Sequence, residues 1–173
     1  MKTFAEHASL SQLVEVISFF ERENIHYAIT GKAMLLFYGI RRDFDSFDIA
    51  VDEKKYSEII KKLALNFTEV EKKTQLNAKE SHSFMFKDIV FNVNRQVYCN
   101  HFDKKYVFII EDFSSLHYKN YAGKKIYLDD LNKLELYYSN TEETSIAGEI
   151  KDYLKYNPDY TLPNKEIVFT HRS

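Results

Sequence analysis

The chain is 173 residues long, with four glycines, two prolines, one cysteine and no tryptophan, and a length of this order buries a full hydrophobic core without staples. Hydrophobic residues make up 45% and charged residues 29% of it, which excludes intrinsic disorder. A net charge of -2 excludes the broad basic footprint of a protein that coats nucleic acid, and the lone Cys99 excludes an internal disulfide framework and most thiolate metal sites.

The N-terminal MKTFAEHASLSQ is polar and lacks an apolar run of signal-peptide length, and no stretch approaches the roughly 18 apolar residues of a membrane span. A cytoplasmic protein without a membrane partner is expected. Leu10, Leu13, Val14 and Ile17 keep the i, i+3, i+4, i+7 rule and predict a helix over 9–23, with Ser9 and Gln12 as its capping box. A strand follows over 26–30, then a short helix over 32–38 that Gly39 stops. The polar loop IRRDFDS leads into a strand over 47–51. Asp52 then caps a third helix whose Tyr56, Ile59, Ile60 and Leu63 share one face.

Residues 69–82 are polar and read as a loop or ragged edge. Strands are expected over 83–86 and 89–93, turned around Lys87 and Asp88, with another over 107–110. Near Gly123 a turn, a short strand and a helix capped by Asp129 or Asp130 are expected, then a last helix over 142–156 and an extended tail from Asn157. Neither a repeat nor a linker interrupts the chain, so a single α/β domain over 1–173 is expected: a core over 9–110, a strand and helical part over 120–156, and a tail over 157–173.

The segment that carries chemistry runs from Ile29 to Asp52, ITGKAMLLFYGIRRDFDSFDIAVD. A strand runs into a glycine, a short helix runs to a second glycine, and an Arg-rich acidic loop enters a second strand. This layout resembles the nucleotidyltransferase superfold, the polymerase-β-like family. Its small bacterial members include lincosamide and aminoglycoside nucleotidylyltransferases and the transferases of type IV toxin–antitoxin systems. Thr30 and Gly31 fall on the family's glycine pair, Gly39 to Arg42 on its Gly-x-x-Arg turn, and Ser46-Phe47-Asp48 on its Asp-x-Asp pair. More weakly, Gly123 to Ile126 and Leu128 to Leu131 resemble the strand and helix that open the family's C-terminal part.

The resemblance implies an α/β fold, a mixed sheet of about four or five strands flanked by helices, with a small helical C-terminal part. It implies transfer of a nucleoside monophosphate from an NTP to a small-molecule or macromolecular acceptor, with Mg²⁺ on the triphosphate. Thr30, Gly31, Lys32 and Arg42 would bind nucleotide; Asp48 would bind metal, with Ser46 and Asn92 as auxiliary ligands. The chemistry is physically sensible. A glycine lets backbone approach phosphate, a helix start favours anions, and carboxylates two apart on a strand share one face where divalent ions bind.

The chain departs from the pattern where charge is needed. Ser46 replaces the first carboxylate, and Asn92 (or Asn94, on the same face) replaces the third, which leaves Asp48 alone. Asp43 and Asp45 form an Asp-x-Asp in the preceding loop and offer one rescue; a two-residue slip of the register is another. Plain alternatives stand beside these roles: Gly39 as helix punctuation, Lys32 as a solvated residue, and Arg41 and Arg42 pairing with Asp43 and Asp45. Two functions therefore remain open, a transferase and a binding or interaction module of antitoxin, immunity or regulatory type with a protein partner.

Overall fold

A computed structural model describes residues 2–41 and 43–168, with side chains from Ser9 onward. The described residues form five α-helices and an eight-stranded mixed sheet. Helix α1 (Lys2–Arg22) leads into β1 (Tyr27–Thr30), α2 (Gly31–Phe37), β2 (Phe47–Val51) and α3 (Tyr56–Asn66). The strands β3 (Thr68–Val70), β4 (Ala78–Phe86), β5 (Ile89–His101) and β6 (Lys104–Phe108) follow. The chain closes with β7 (His117–Tyr121), β8 (Lys124–Leu128), α4 (Leu131–Ser139) and α5 (Thr144–Tyr156).

The strand order is β3-β4-β5-β2-β1-β8-β7, with β6 paired to the far end of β5. Strand β1 is antiparallel to β2 and parallel to β8, and β2 is parallel to β5. Successive side chains on a strand alternate between faces. Ile29, Phe47, Ile49, Phe91 and Val93 point to one face and are buried. There Phe20 of α1 meets Phe91 at 6.3 Å between ring centroids, and Phe67, just after α3, meets it at 5.1 Å.

The other face carries a polar row. The register pairs Asn92 with Asp48 and Asp48 with Thr30, and Ile29 opposite Leu128 brings Asp129 beside Thr30. Buried polar groups on three neighbouring strands, β5, β2 and β1, thus form one line across the sheet, continued by Asp129 just past the end of β8.

Several expected elements form as the local rules require. Asp52 accepts from the Lys54 amide at 3.0 Å and opens the 3-10 turn that runs into α3. Gly39, at φ 71°, closes α2 in a Schellman arrangement: its N–H reaches the Leu36 carbonyl at 3.0 Å, and Ile40 N–H reaches Leu35 at 2.9 Å. Of the two candidate caps for α4, Asp130 serves, accepting from Asn132 N–H at 3.0 Å.

Other expectations need correction. Helix α1 already runs through Ser9, so no capping box forms there; Gln12 instead holds Asp88 at the β4–β5 turn. Part of the expected loop over 69–82 is strand, β3 and the first half of β4. Strand β5 continues to His101, β6 starts at Lys104, and β7 was not anticipated. The tail is not merely extended: Pro158–Thr161 forms a 3-10 turn, and Glu166 bridges to Tyr118.

Candidate functional site

A cleft of about 970 Å³ opens beside the polar row, between the loop entering β2, the 73–77 segment and the C-terminal helices. Lys32, Ser46 and Asp48 line it, and Tyr137 and Tyr138 form its wall on α4. Thr30, Gly31 and Asn92 are not among its described lining residues. Arg42 lies outside the described residues.

Asp48 is the centre of a buried hydrogen-bond network. Its Oδ1 accepts from Thr74 Oγ1 at 2.6 Å, Asn94 Nδ2 at 2.9 Å and Asn92 Nδ2 at 3.1 Å. Asn92 Nδ2 also donates to Ser46 Oγ at 2.8 Å. The carbonyl ends of the two asparagines are taken too, each at 2.6 Å: Ser83 donates to Asn92 and Ser81 to Asn94. Asn92, more than forty residues along the chain from Ser46 and Asp48, therefore does meet them. Burial pushes the Asp48 carboxyl above its ordinary range, and the bonds from Thr74, Asn94 and Asn92 only partly offset it.

Gly31 stands against this carboxylate at φ +68°, and a Cβ there would lie 2.9 Å from Asp48 Oδ2. The room that glycine leaves is filled by Asp48, whereas the sequence resemblance implies phosphate there. Lys32 is committed as well, with Nζ 2.6 Å from Glu143 Oε1 at the head of α5. Thr30 donates to Asp129 Oδ2 at 3.1 Å. Asp129 is buried at 7% exposure. Burial raises its pKa, opposed by Lys133, the Asp130 amide and Thr30.

Mg²⁺ takes oxygen ligands in octahedral geometry. Here one carboxylate faces two amide NH₂ groups and a hydroxyl donor, and among the described residues no group of three or more His, Cys, Asp or Glu is placed to hold a metal ion. This donor set does not fit the ion. Asp43 and Asp45 line the same cleft, while Arg41 pairs with Asp43 at 3.3 Å and with Glu149 of α5 at 2.7 Å.

Comparison with solved structures places this architecture. The chain superposes on a putative nucleotidyltransferase from Thermotoga maritima with a TM-score of 0.60 at 14% identity, covering 86% of this chain and 94% of that one. It superposes on the lincomycin-bound lincosamide antibiotic adenylyltransferase LnuA with a TM-score of 0.54 at 15% identity, covering 83% and 96%. The chain has the nucleotidyltransferase fold. The antibiotic-resistance factor ANT(2'')-Ia, in complex with adenylyl-2''-tobramycin, matches at a TM-score of 0.54 and 10% identity, covering 86% and 89%. No family model and no curated sequence matches the chain.

Sequence reasoning named Ser46, Asp48 and Asn92 but missed Thr74, Asp129 and Glu143. Thr74 sits in a polar loop with no motif around it, and Glu143 lies more than a hundred residues from its partner Lys32. Local sequence marks Asp129 as a possible helix cap, although an acidic residue directly after the apolar run of β8 is also a visible signal for a buried site.

Proposed function

We propose that this chain is a binding or interaction module built on the nucleotidyltransferase fold, in which nucleotidyl transfer does not operate. The observation that carries this reading is the state of Asp48, whose Oδ1 is saturated by Thr74, Asn94 and Asn92. Ser46 and Asn92 supply hydrogen bonds to the network and no negative charge. Carboxylates also outweigh ammonium groups around the cleft, with Asp43, Asp45, Asp88 and Glu142 facing it beside Lys32 and Lys73. A bare triphosphate therefore enters a repulsive field. The cleft still has room for a ligand or for a segment of a protein partner.

The test incubates the protein with labelled NTPs, Mg²⁺ or Mn²⁺, and lincosamide or aminoglycoside acceptors, alongside a thermal-shift panel of the same NTPs. No transfer is expected. Metal-dependent transfer that Asp48→Asn abolishes rejects the reading.

One observation favours a second reading, nucleoside monophosphate transfer from an NTP with Mg²⁺: Asp43 and Asp45 line the same cleft as Asp48. On that reading the loop carboxylates replace the missing ones, and Lys32 leaves Glu143 for the phosphates. Turnover would then fall on Asp43→Asn and Asp45→Asn as steeply as on Asp48→Asn.

A further inference from the structure

The C-terminal strap, residues 157–168, lies along the β7 edge and is tied there by backbone bonds. Tyr118 N–H reaches the Lys165 carbonyl at 3.1 Å, Ile167 N–H reaches the Tyr118 carbonyl at 2.8 Å, and Asn164 N–H reaches the Ser115 carbonyl at 3.2 Å. Two side chains anchor it from within. Tyr160 OH accepts from Leu131 N–H at 2.6 Å and donates to Asp130 Oδ1 at 3.1 Å, which joins the strap to the first turn of α4. His117, on β7 and 8% exposed, meets the Leu162 carbonyl through Nε2 at 2.8 Å.

A carbonyl oxygen only accepts, so Nε2 carries the ring proton and Nδ1 is the bare nitrogen. That Nδ1 is buried and has no hydrogen-bond partner, and the ring sits edge-on to Tyr160 at 4.4 Å. A second proton has one place to go, Nδ1, where it creates a buried cation and a donor with no acceptor.

We infer that His117 is an acid-sensitive latch that releases the C-terminal strap when its imidazole takes up a second proton. The charged groups around it do not cancel this. Asp130 at the head of α4 and Asp159 on the strap favour the cation, and Lys165 opposes it. Lys119, two residues along β7, is itself pushed down by burial and faces Glu166. Glu111, Asp112, Asp129 and Lys133 line the same groove as His117. Burial outweighs both the bond to the Leu162 carbonyl, which favours the cation, and the favourable carboxylates, and it holds the imidazole below its ordinary value.

A histidine with a depressed folded pKa adds stability that is complete above the ordinary value of about 6.5 and is lost as pH falls below it. Opening that takes up one proton becomes up to about tenfold more populated per pH unit in that window. Because Tyr160 holds the first turn of α4, opening also unpins the helix whose Tyr137 and Tyr138 wall the cleft.

Amide hydrogen exchange on the full chain between pH 7.5 and 5, corrected for intrinsic rates, tests the latch. Protection of Asn164, Ile167 and Tyr118 should fall by up to about tenfold from pH 6.5 to 5.5, ahead of Ile49 in the sheet centre, and His117→Gln should flatten that dependence. Ring NMR of the wild-type chain gives a second readout that needs no variant: an Nε2–H tautomer titrating below the ordinary value is expected. Flat strap protection in the wild type, an unchanged pH profile in His117→Gln, or a ring titrating at or above the ordinary value overturns the inference.

Discussion

Asp48 accepts from Thr74, Asn94 and Asn92 on a single oxygen, and this separates the effects of its two simplest substitutions. Alanine strands the Thr74 and Asn94 donors in a mostly buried site, at about 1–3 kcal/mol each, while Asn92 keeps its bond to Ser46. Asparagine keeps an acceptor oxygen and removes the charge whose burial raises the carboxyl pKa. In urea titrations, Asp48→Ala should lose about 2–4 kcal/mol and Asp48→Asn less than about 1.5 kcal/mol. A carboxyl raised above its ordinary range of about 4 binds more protons folded than unfolded, so stability falls as pH climbs through that window. The Asp48→Asn protein should therefore gain on wild type between pH 4 and 7, and the opposite trend would mean that the fold stabilises the ionised carboxylate. Gly31 is coupled to the same carboxylate. Its φ of +68° and the 2.9 Å approach of Oδ2 to a built Cβ predict a loss of about 2–3 kcal/mol for Gly31→Ala. Combined with Asp48→Ala, the contact is gone and only the backbone cost of about 1–2 kcal/mol remains. Strict additivity in this cycle would show that Asp48 does not crowd the glycine.

At the level of elements, β3 is three residues long, and its tie to the sheet includes a side-chain bridge. His82 of β4 places Nδ1 3.0 Å from Glu69 on β3 and Nε2 2.9 Å from Glu80. Desolvation lowers the pKa of this imidazole, but the bonds to Glu80 and Glu69 overcome it and leave the value raised. Stabilisation from a raised histidine is complete below about 6.5 and fades as pH rises through the folded value. Exchange at Thr68–Val70 should consequently quicken between pH 6 and 8.5 beyond the intrinsic rate, and His82→Gln should remove that excess. An excess that survives the substitution assigns the fraying to something other than this bridge. The same residues explain what could be foreseen from sequence. β1, β2 and α3 were legible because buried apolar positions alternate or recur in them and because Asp52 caps in place. β3 and the first half of β4 were not, since cross-strand pairs such as His82 with Glu69 and Arg95 with Glu80 hold them without an apolar pattern. The polar residues hide the length of β5 for a related reason: Asn94 looks like solvent-facing sequence, but the fold sets Asp48 and Ser81 beside it. The site divided the same way. Ser46 and Asp48 are close in the chain and could be read together, whereas the partners Thr74, Asp129 and Glu143 reach their places only through the fold.

Across the whole molecule, the C-terminal helices meet the N-terminal half of the chain through a buried seam and two ion-pair clamps. Ile146, Ala147 and Ile150 of α5 are buried, and Tyr38 at the end of α2 meets Tyr153 edge-on at 5.3 Å. One clamp is Lys32 with Glu143 at 2.6 Å, on the wall of the cleft. The other is Arg41, whose Nε and Nη2 reach the two Glu149 oxygens at 2.7 and 3.0 Å, with Ser145 at 3.3 Å beyond. A bidentate guanidinium–carboxylate pair is the stronger geometry. Both partners are nevertheless part-exposed, at 24% and 40% of their side chains, so solvent screens the pair. A double-mutant cycle of Arg41→Ala and Glu149→Ala should give a coupling of about 0.5–1.5 kcal/mol at low salt, shrinking at about 1 M salt, where the screening length is about 3 Å. The local readout is exchange at the Ile150 amide in α5, which should quicken in each single variant by a similar factor and little further in the double. Coupling near zero at low salt would mean that the apolar seam alone seats α5, and that the clamp beside the cleft orients the acidic loop without holding the two halves together.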